Sequence, residues 1–373
     1  MRNENRAALA IHEKAVAPLP HVEGDLGAAV DGLLAEFVAA ETARLCALDP
    51  ALEPLAVAAR DAVLGGGKRL RPTFAYWGWR GVVGPDAPAG PVLPALAGLE
   101  LLHAFALVHD DVMDDSTTRR GRPTAHRALA ARHAEIELRG DAEGFGRSGA
   151  ILVGDLCLVW ADQMIALAGL PAEAVAAARR NYDRMRVEAI AGQFLDVLGE
   201  QSRRWSVERA LLVARLKTAS YTVIRPLRYG AALGDPAGRP PRGPLARAYT
   251  RYGLAVGEAF QLRDDLLGGY GDPAVTGKPA GEDLARGKPT TLLELARQRA
   301  TGSQRADLER LLARGDVARL RDLLQELGAT AQVGHMITKR VADALGAVAD
   351  MPVDPGTRAA LADLAVTATK RSA

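Results

Sequence analysis

The stretch "LELLHAFALVHDDVMDD", residues 99–115, decides how this chain is read. Its first ten residues are almost wholly apolar, the pattern of a helix enclosed on all sides. Four aspartates then arrive together: Asp110, Asp111, Asp114 and Asp115. Neighbouring carboxylates repel one another and are costly to desolvate, so something positive has to bind where they lie. On a helix Asp110 and Asp114 share a face, and Asp111 is about 100° round from Asp110.

A second acidic pair, Asp264 and Asp265 in "FQLRDDLLGGYGD", stands on another long apolar pattern. Two helices each ending in "DD" could face one another across a cleft. Carboxylate oxygens on a flexible rim suit Mg²⁺, which keeps its waters and bridges to phosphate oxygens. Taken singly, either segment could be a solvated helix end or a calcium-binding surface. Gly268 also stands where a third carboxylate of the second segment would be expected. The two segments together argue for a cation site far better than either alone.

Magnesium held by carboxylates implies a polyphosphate ligand, and basic residues follow in the right places. "GGGKRLRP" (65–72) offers Lys68, Arg69 and Arg71 beside a glycine run. It is not a P-loop, because no Gly-x4-Gly-Lys-Ser/Thr pattern fits. "STTRRGRP" places Arg119, Arg120 and Arg122 directly after the first acidic segment. The planar fork of arginine donates two bonds to paired diphosphate oxygens. Lys217 and Thr218 lie within a helical pattern, and Lys278 and Lys288 follow the second pair. Any one of these would ordinarily be surface charge, and it is their placement beside carboxylates that singles them out.

The totals bound the alternatives. With 47 Lys+Arg against 45 Asp+Glu, the net charge of +2 gives no reason to expect nucleic acid or a membrane surface as partner. Hydrophobic residues make up 48% of 373, enough for a large core. Cys46 and Cys157 match no metal spacing and read as reduced thiols of a cytoplasmic protein. The N-terminus lacks the apolar core of a signal peptide. Pro91, Pro94, Glu100 and His103 interrupt the most apolar run, so it reads as a buried helix and no membrane span is expected.

Aromatic residues are only 5% of the chain and alternating strand patterns are scarce. Amphipathic helical spacing recurs over 30–48, 173–200, 207–233 and 244–268. Glycine and proline mark loops at 65–72, 137–149, 234–244 and 268–290. The expectation is one all-α domain over 31–373, preceded by a polar extension over 1–30.

"GGGKRLRP", "LLHAFALVHDDVMDDSTTRRGRPT", "ILVGDLCL", "GQFLD", "KT", "FQLRDDLLGGYGD" and "TGKPAGEDLARGKPT" occur in the order seen in trans-isoprenyl diphosphate synthases, which the chain resembles over roughly residues 31 to 300. The resemblance implies an all-α helical bundle around a deep central cavity, usually a homodimer. It implies that Asp110, Asp114 and Asp264 hold three Mg²⁺ on an allylic diphosphate, with Asp111 and Asp265 supporting them or binding through water. Arg119, Lys217, Thr218, Gln261, Lys278 and Lys288 would contact that diphosphate. Lys68, Arg71, His103 and Arg120 would hold isopentenyl diphosphate, while Gln193 and Asp196 would line the cavity. His103 lies two turns before Asp110 on the same helix face, which agrees with this assignment. The segment 268–290 would close over the mouth.

In such enzymes bulk at the fifth and fourth residues before the first aspartate limits product growth. Phe105 and Ala106 stand there, and the acidic motif carries no two-residue insertion, which resembles the twenty-carbon geranylgeranyl type. On an ideal wheel Ala106 points nearer to Asp110 than Phe105 does, so geometry alone leaves the floor open. Farnesyl or longer products remain the alternative. A class I terpene cyclase would need no second diphosphate site, and "GGGKRLRP" with the second "DD" argues against it. A non-catalytic synthase subunit would usually lose an acidic motif, whereas this chain keeps both.

Overall fold

Proline and glycine punctuate the chain where its helices start and stop. A computed structural model describes residues 26–202, 204–239, 241, 243–271 and 281–369. The first helix, α1, spans Leu26–Leu48, so helix already occupies residues 26–30. Asp49 then caps a short 3-10 turn at Pro50–Leu52 by accepting from the Ala51 N–H at 2.8 Å. Helix α2 (Glu53–Leu64) stops at Gly65, and α3 (Leu70–Val83) stops at Gly84 with φ +82. Helix α4 (Leu93–Met113) carries the first acidic segment, and a hairpin of two-residue strands, β1 (Thr118–Arg119) and β2 (Arg122–Pro123), follows it. Next come α5 (Ala125–Glu135), α6 (Ala142–Ala166) and α7 (Ala172–Gln201).

Helix α8 (Val207–Val213) runs without a break into a π-helix over Ala214–Ile224 and then α9 (Arg225–Leu233). Helix α10 (Gly243–Tyr270) carries the second acidic pair. The chain ends in α11 (Glu282–Ala285), α12 (Thr291–Arg299), α13 (Gly302–Arg314), α14 (Val317–Glu326), α15 (Ala329–Ala349) and α16 (Pro355–Thr369). Among the described residues, strand is confined to the hairpin, as an all-α sequence pattern requires.

These elements gather into two compact units. The first takes residues 26–117, 123–178 and 232–239, and the second takes 118–122, 179–231 and the described residues after 240. In the first, α4 packs along α6. Leu96, Leu99, Leu101 and Leu102 are fully enclosed, each contributing about 1.5–3 kcal/mol of apolar burial. The indole of Trp160 meets the Phe37 ring edge-on at 6.2 Å. In the second, α10 lies against the π-helix and α15, over a core built from Leu262, Leu292, Leu293, Leu324, Val333 and Ile337.

By length and composition two segments, Gly90–Met113 and Ala142–Ala166, could cross a membrane. The apolar window of the first is 67% buried within the protein, as its reading as a core helix expects. That of the second is 44% buried, and Ile151, Leu152 and Val159 remain exposed on it.

Two readings of the sequence need correction. Residues 137–149 are not a long loop: Asp141 accepts from the Glu143 N–H and starts α6 at Ala142. Two of the glycines that suggested a loop serve packing: a Cβ on Gly146 would lie 2.2 Å from the His126 carbonyl oxygen, and one on Gly149 would lie 2.7 Å from Leu129. Nor do Asp264 and Asp265 end their helix, because α10 continues to Tyr270. Tyr270 is held there, its hydroxyl bonded to the Arg321 carbonyl at 3.0 Å.

Candidate active site

In the first unit, Asp110 and Asp111 occupy the last turn of α4, and Asp114 closes it by bonding its N–H to the Asp110 carbonyl at 2.8 Å. Asp110 and Asp114 are half-buried, whereas Asp111 is only 4% exposed. Asp115, with φ +50, pairs with Arg127 at 2.9 Å. The fourth aspartate is therefore taken up by a structural ion pair. Arg119 lies in β1, and Arg120 and Gly121, both at positive φ, make the hairpin turn that follows.

One turn before the aspartates, the Phe105 ring packs edge-on against His109 with centroids 4.8 Å apart. His109 Nε2 lies 3.0 Å from the Ile151 carbonyl and 3.8 Å from an Asp155 oxygen. Room for that imidazole comes from Gly154, where a Cβ would stand 2.2 Å from His109 Nε2. Phe105 and Ala106 are both half-buried. His103 is half-buried on α4, Arg71 sits in the first turn of α3, and Lys68 is exposed just before it.

The second unit assembles its groups more tightly. Lys217 and Thr218 stand on the π-helix, a form met often at functional sites because it reshapes a helix locally. Its partner helix comes very close: a Cβ on Gly257 of α10 would lie 2.1 Å from the Ala219 Cα. The Lys217 and Lys288 ammonium groups both reach Asp196 Oδ2, at 2.8 Å and 3.0 Å. Burial alone would raise the Asp196 carboxyl, but the two lysines outweigh it and hold the group below its usual range. Glu200 extends the network, 3.9 Å from Lys288 and 3.1 Å from Arg286.

A second chain of bonds runs alongside. Thr218 donates to Gln261 Oε1 at 2.5 Å, and Gln261 donates to Asp265 Oδ1 at 3.0 Å. The Thr291 N–H meets the other Asp265 oxygen at 3.2 Å. Burial, with repulsion from Asp283 and Asp264, pushes the Asp265 carboxyl up to about 7. Asp196, Lys217, Lys288, Gln261, Asp265 and Thr291 line an open pocket, together with Trp205, Ala214 and Pro289.

The structure thus brings together Lys217, Lys288 and Asp196, and likewise Thr218, Gln261 and Asp265. Lys278 falls outside the described residues. Among the described residues, no three carboxylate, histidine or cysteine side chains converge as a ready-made ion site. The donor set still fits magnesium: it is all hard oxygen, and Asp265 is held in an environment that an added cation would relieve. Two features went unnoticed in the sequence. Asp283 lies beside Gly268, its Oδ2 2.5 Å from where a Cβ would stand, so a carboxylate does occupy the neighbourhood of the missing third aspartate. Arg69 and Glu100 form a buried pair at 2.7 Å, and Glu100 had registered only as a break in an apolar run.

Carboxylates on two long helices, each followed in sequence by lysines and arginines suited to diphosphate, define an all-α isoprenoid synthase. The fold bears this out: geranylgeranyl pyrophosphate synthase from Corynebacterium glutamicum, solved with isoprenyl diphosphate and magnesium, superposes with a TM-score of 0.87 at 39% identity. That match covers 95% of this chain and 100% of the other. The polyprenyl synthetase family model matches residues 53–327, and the chain belongs to that family of trans-prenyltransferases. Among its relatives, geranylfarnesyl diphosphate synthase of Aeropyrum pernix is 34% identical, over 68% of this chain and 74% of the relative. Geranylgeranyl diphosphate synthase of Mycobacterium tuberculosis is 39% identical, over 54% and 51%.

Proposed function

We propose that this protein condenses isopentenyl diphosphate head-to-tail with an allylic diphosphate, giving geranylgeranyl diphosphate as its main product. The observation that carries the reading is the pair of lysines, Lys217 and Lys288, joined on one partly buried carboxylate, Asp196, beside Thr218, Gln261 and Asp265. A diphosphate is a ligand able to replace Asp196 as their counter-ion. Asp110, Asp114 and Asp264 would hold three Mg²⁺, with Asp111 and Asp265 supporting them or binding through water, and those ions would neutralise charge on the departing diphosphate. Arg119, Lys217, Thr218, Gln261, Lys278 and Lys288 bind and orient the allylic diphosphate. Lys68, Arg71, His103 and Arg120 hold isopentenyl diphosphate so that its double bond faces the allylic carbon.

As the C–O bond breaks, the allylic cation is attacked by that double bond, and the released diphosphate takes the proton. Water must be kept away, because it would trap the cation as an alcohol. Val187, Ile190 and Phe194, at 66%, 57% and 66% exposure, form an apolar stripe on α7 above Gln193 and Asp196 that suits an isoprenoid tail. Phe105, braced by His109, is the floor that limits the product to twenty carbons.

The exposed apolar face of α6, with Ile151, Leu152 and Val159, supports a homodimer. Free Cys46 and Cys157 agree with the cytoplasm as compartment. Residues 31–373 act as the prenyltransferase domain together with the start of α1 at Leu26, and the extension is the sequence before that helix.

The test is incubation of the protein with Mg²⁺, isopentenyl diphosphate and each short allylic diphosphate, with product length read by mass spectrometry. A twenty-carbon product is expected. A shorter or longer one removes Phe105 as the floor. Binding of both substrates without condensation would make the chain a non-catalytic subunit.

A further inference from the structure

We infer that Arg69 is the positioning residue of the isopentenyl diphosphate site, locking the Lys68–Arg71 segment to the helix that carries His103. The inference rests on the reading above, in which Lys68, Arg71 and His103 bind that substrate. Arg69 stands between two cations that face the ligand, yet its own guanidinium turns inward and is only 7% exposed. Its Nη1 donates to Glu100 Oε2 at 2.7 Å and its Nε donates to Asp31 Oδ1 at 2.6 Å. Glu100 is buried on α4, three residues before His103 and on the same side of the helix.

The backbone at Arg69 is left-handed, with φ +47 and ψ +38, a conformation that a non-glycine residue adopts only when its surroundings impose it. Its carbonyl accepts from both the N–H and the hydroxyl of Thr73, at 3.1 Å and 2.8 Å, which starts α3 directly at Leu70. Lys68 and Arg71, on either side of Arg69, therefore take their positions from one anchored side chain.

Stability does not explain the pair. A buried Arg–Glu pair can commonly be exchanged for apolar residues of similar volume without loss, because desolvation offsets the attraction. Glu100 Oε1 is, moreover, buried without a hydrogen-bond partner among the described residues. What an apolar replacement would not reproduce is the guanidinium's hold on two carboxylates, Glu100 and Asp31, which fixes orientation as well as distance.

The experiment measures the KM for each substrate in three variants of the full chain. Arg69→Met with Glu100→Leu removes the two buried charges together, and Asp31, which loses its partner, is half exposed to solvent. The expected result is a melting temperature close to wild type, a KM for isopentenyl diphosphate raised about tenfold or more, and an allylic KM within about twofold. Lys68→Ala reports on the underlying site and should raise the same KM. If Lys68→Ala leaves it unchanged, the site assignment fails and the inference with it. If Lys68→Ala raises it but the double variant does not, or the double variant raises both KM values equally, only the inference fails. Should the double variant not fold, Asp31→Asn decides, because Asp31 is half exposed and its loss cannot unfold the chain. A rise of about twofold or more in the isopentenyl diphosphate KM alone supports the lock, and no change overturns it.

Discussion

The two acidic segments meet the same electrostatic problem in opposite ways. On α4 the carboxylates sit where the helix stops, Asp110 and Asp114 half-buried and Asp115 neutralised by Arg127. On α10 they sit inside the helix, and Asp265 is enclosed with bonds from Gln261 and the Thr291 backbone, its carboxyl pushed up to about 7. The first arrangement leaves Asp110 and Asp114 partly open to solvent and encloses only Asp111. The second accepts a charge that the protein alone stabilises poorly, which leaves it responsive to whatever positive ion arrives. An enzyme that must load cations together with a diphosphate gains from the second kind of site, because ligand binding and relief of repulsion become one event.

The bluntest way to break this comparison is to remove one carboxylate from each segment. Asp110→Ala and Asp264→Ala should each lower turnover by about 10³-fold, with the helical circular dichroism unchanged. Retained activity in either would remove that residue from the cation site. Gly257→Ala comes next, since the added methyl would stand 2.1 Å from backbone at Ala219 and force the π-helix off α10. A loss of about 2–4 kcal/mol in urea melts is expected, together with loss of activity.

Asp196→Asn should cost about 1–3 kcal/mol at pH 7 by leaving two lysines without their counter-ion. The Asp196 pKa is depressed in the folded state, so its contribution exists above the ordinary value of 3.8 and disappears as pH falls through the lower, folded one. The variant and wild type should therefore converge in stability as pH falls through that lowered value, and a gap that persists once Asp196 is protonated would discard the ion pair as its cause.

Asp265 has the opposite sign, which sharpens the contrast. Its pKa is raised from 3.8 to about 7 in the fold, so cation-free protein should lose stability as pH rises between those values. Asp265→Asn should flatten that slope and, at pH 8 without divalent cation, melt higher than wild type. A slope that survives the substitution would mean another group is responsible. The smallest effect on rate, though not on outcome, is Phe105→Ala. It should lengthen the product while leaving turnover within about tenfold, because the side chain packs on His109 and takes no part in the chemistry.

The helical class and the acidic segments were legible because their signals are local. Period, apolar length and paired carboxylates survive in a one-dimensional string. Breaks in the helical pattern were legible too, from glycine and proline at 65–72 and 234–244, though helix resumes at Leu70 and at Gly243. The start of α6 was misread because glycines at 146 and 149 look the same whether they free the backbone or admit a neighbouring helix. Every lysine of the pocket was identified singly, but their meeting on Asp196 depends on how α7, the π-helix and the segment after α11 come together. Asp283 beside Gly268 is likewise a tertiary fact, joining residues fifteen apart in sequence. Arg69 was read as one cation among three, because sequence does not show which way a side chain turns.

The π-helix is set by packing and not by any local code, for "ARLKTASYTVI" reads as ordinary helix. Each of its hydrogen bonds spans one residue more than in an α-helix, so it works as a phase shift between the helices on either side. Chain length there is as constrained as chemistry. Deleting one residue between Ala214 and Ile224 would let the segment relax to α-helical pitch and rotate everything beyond it by about 100° relative to α8. Lys217 and Thr218 could then keep their identities and still lose their partners. In this stretch of the chain a count of residues carries information that a list of residues does not.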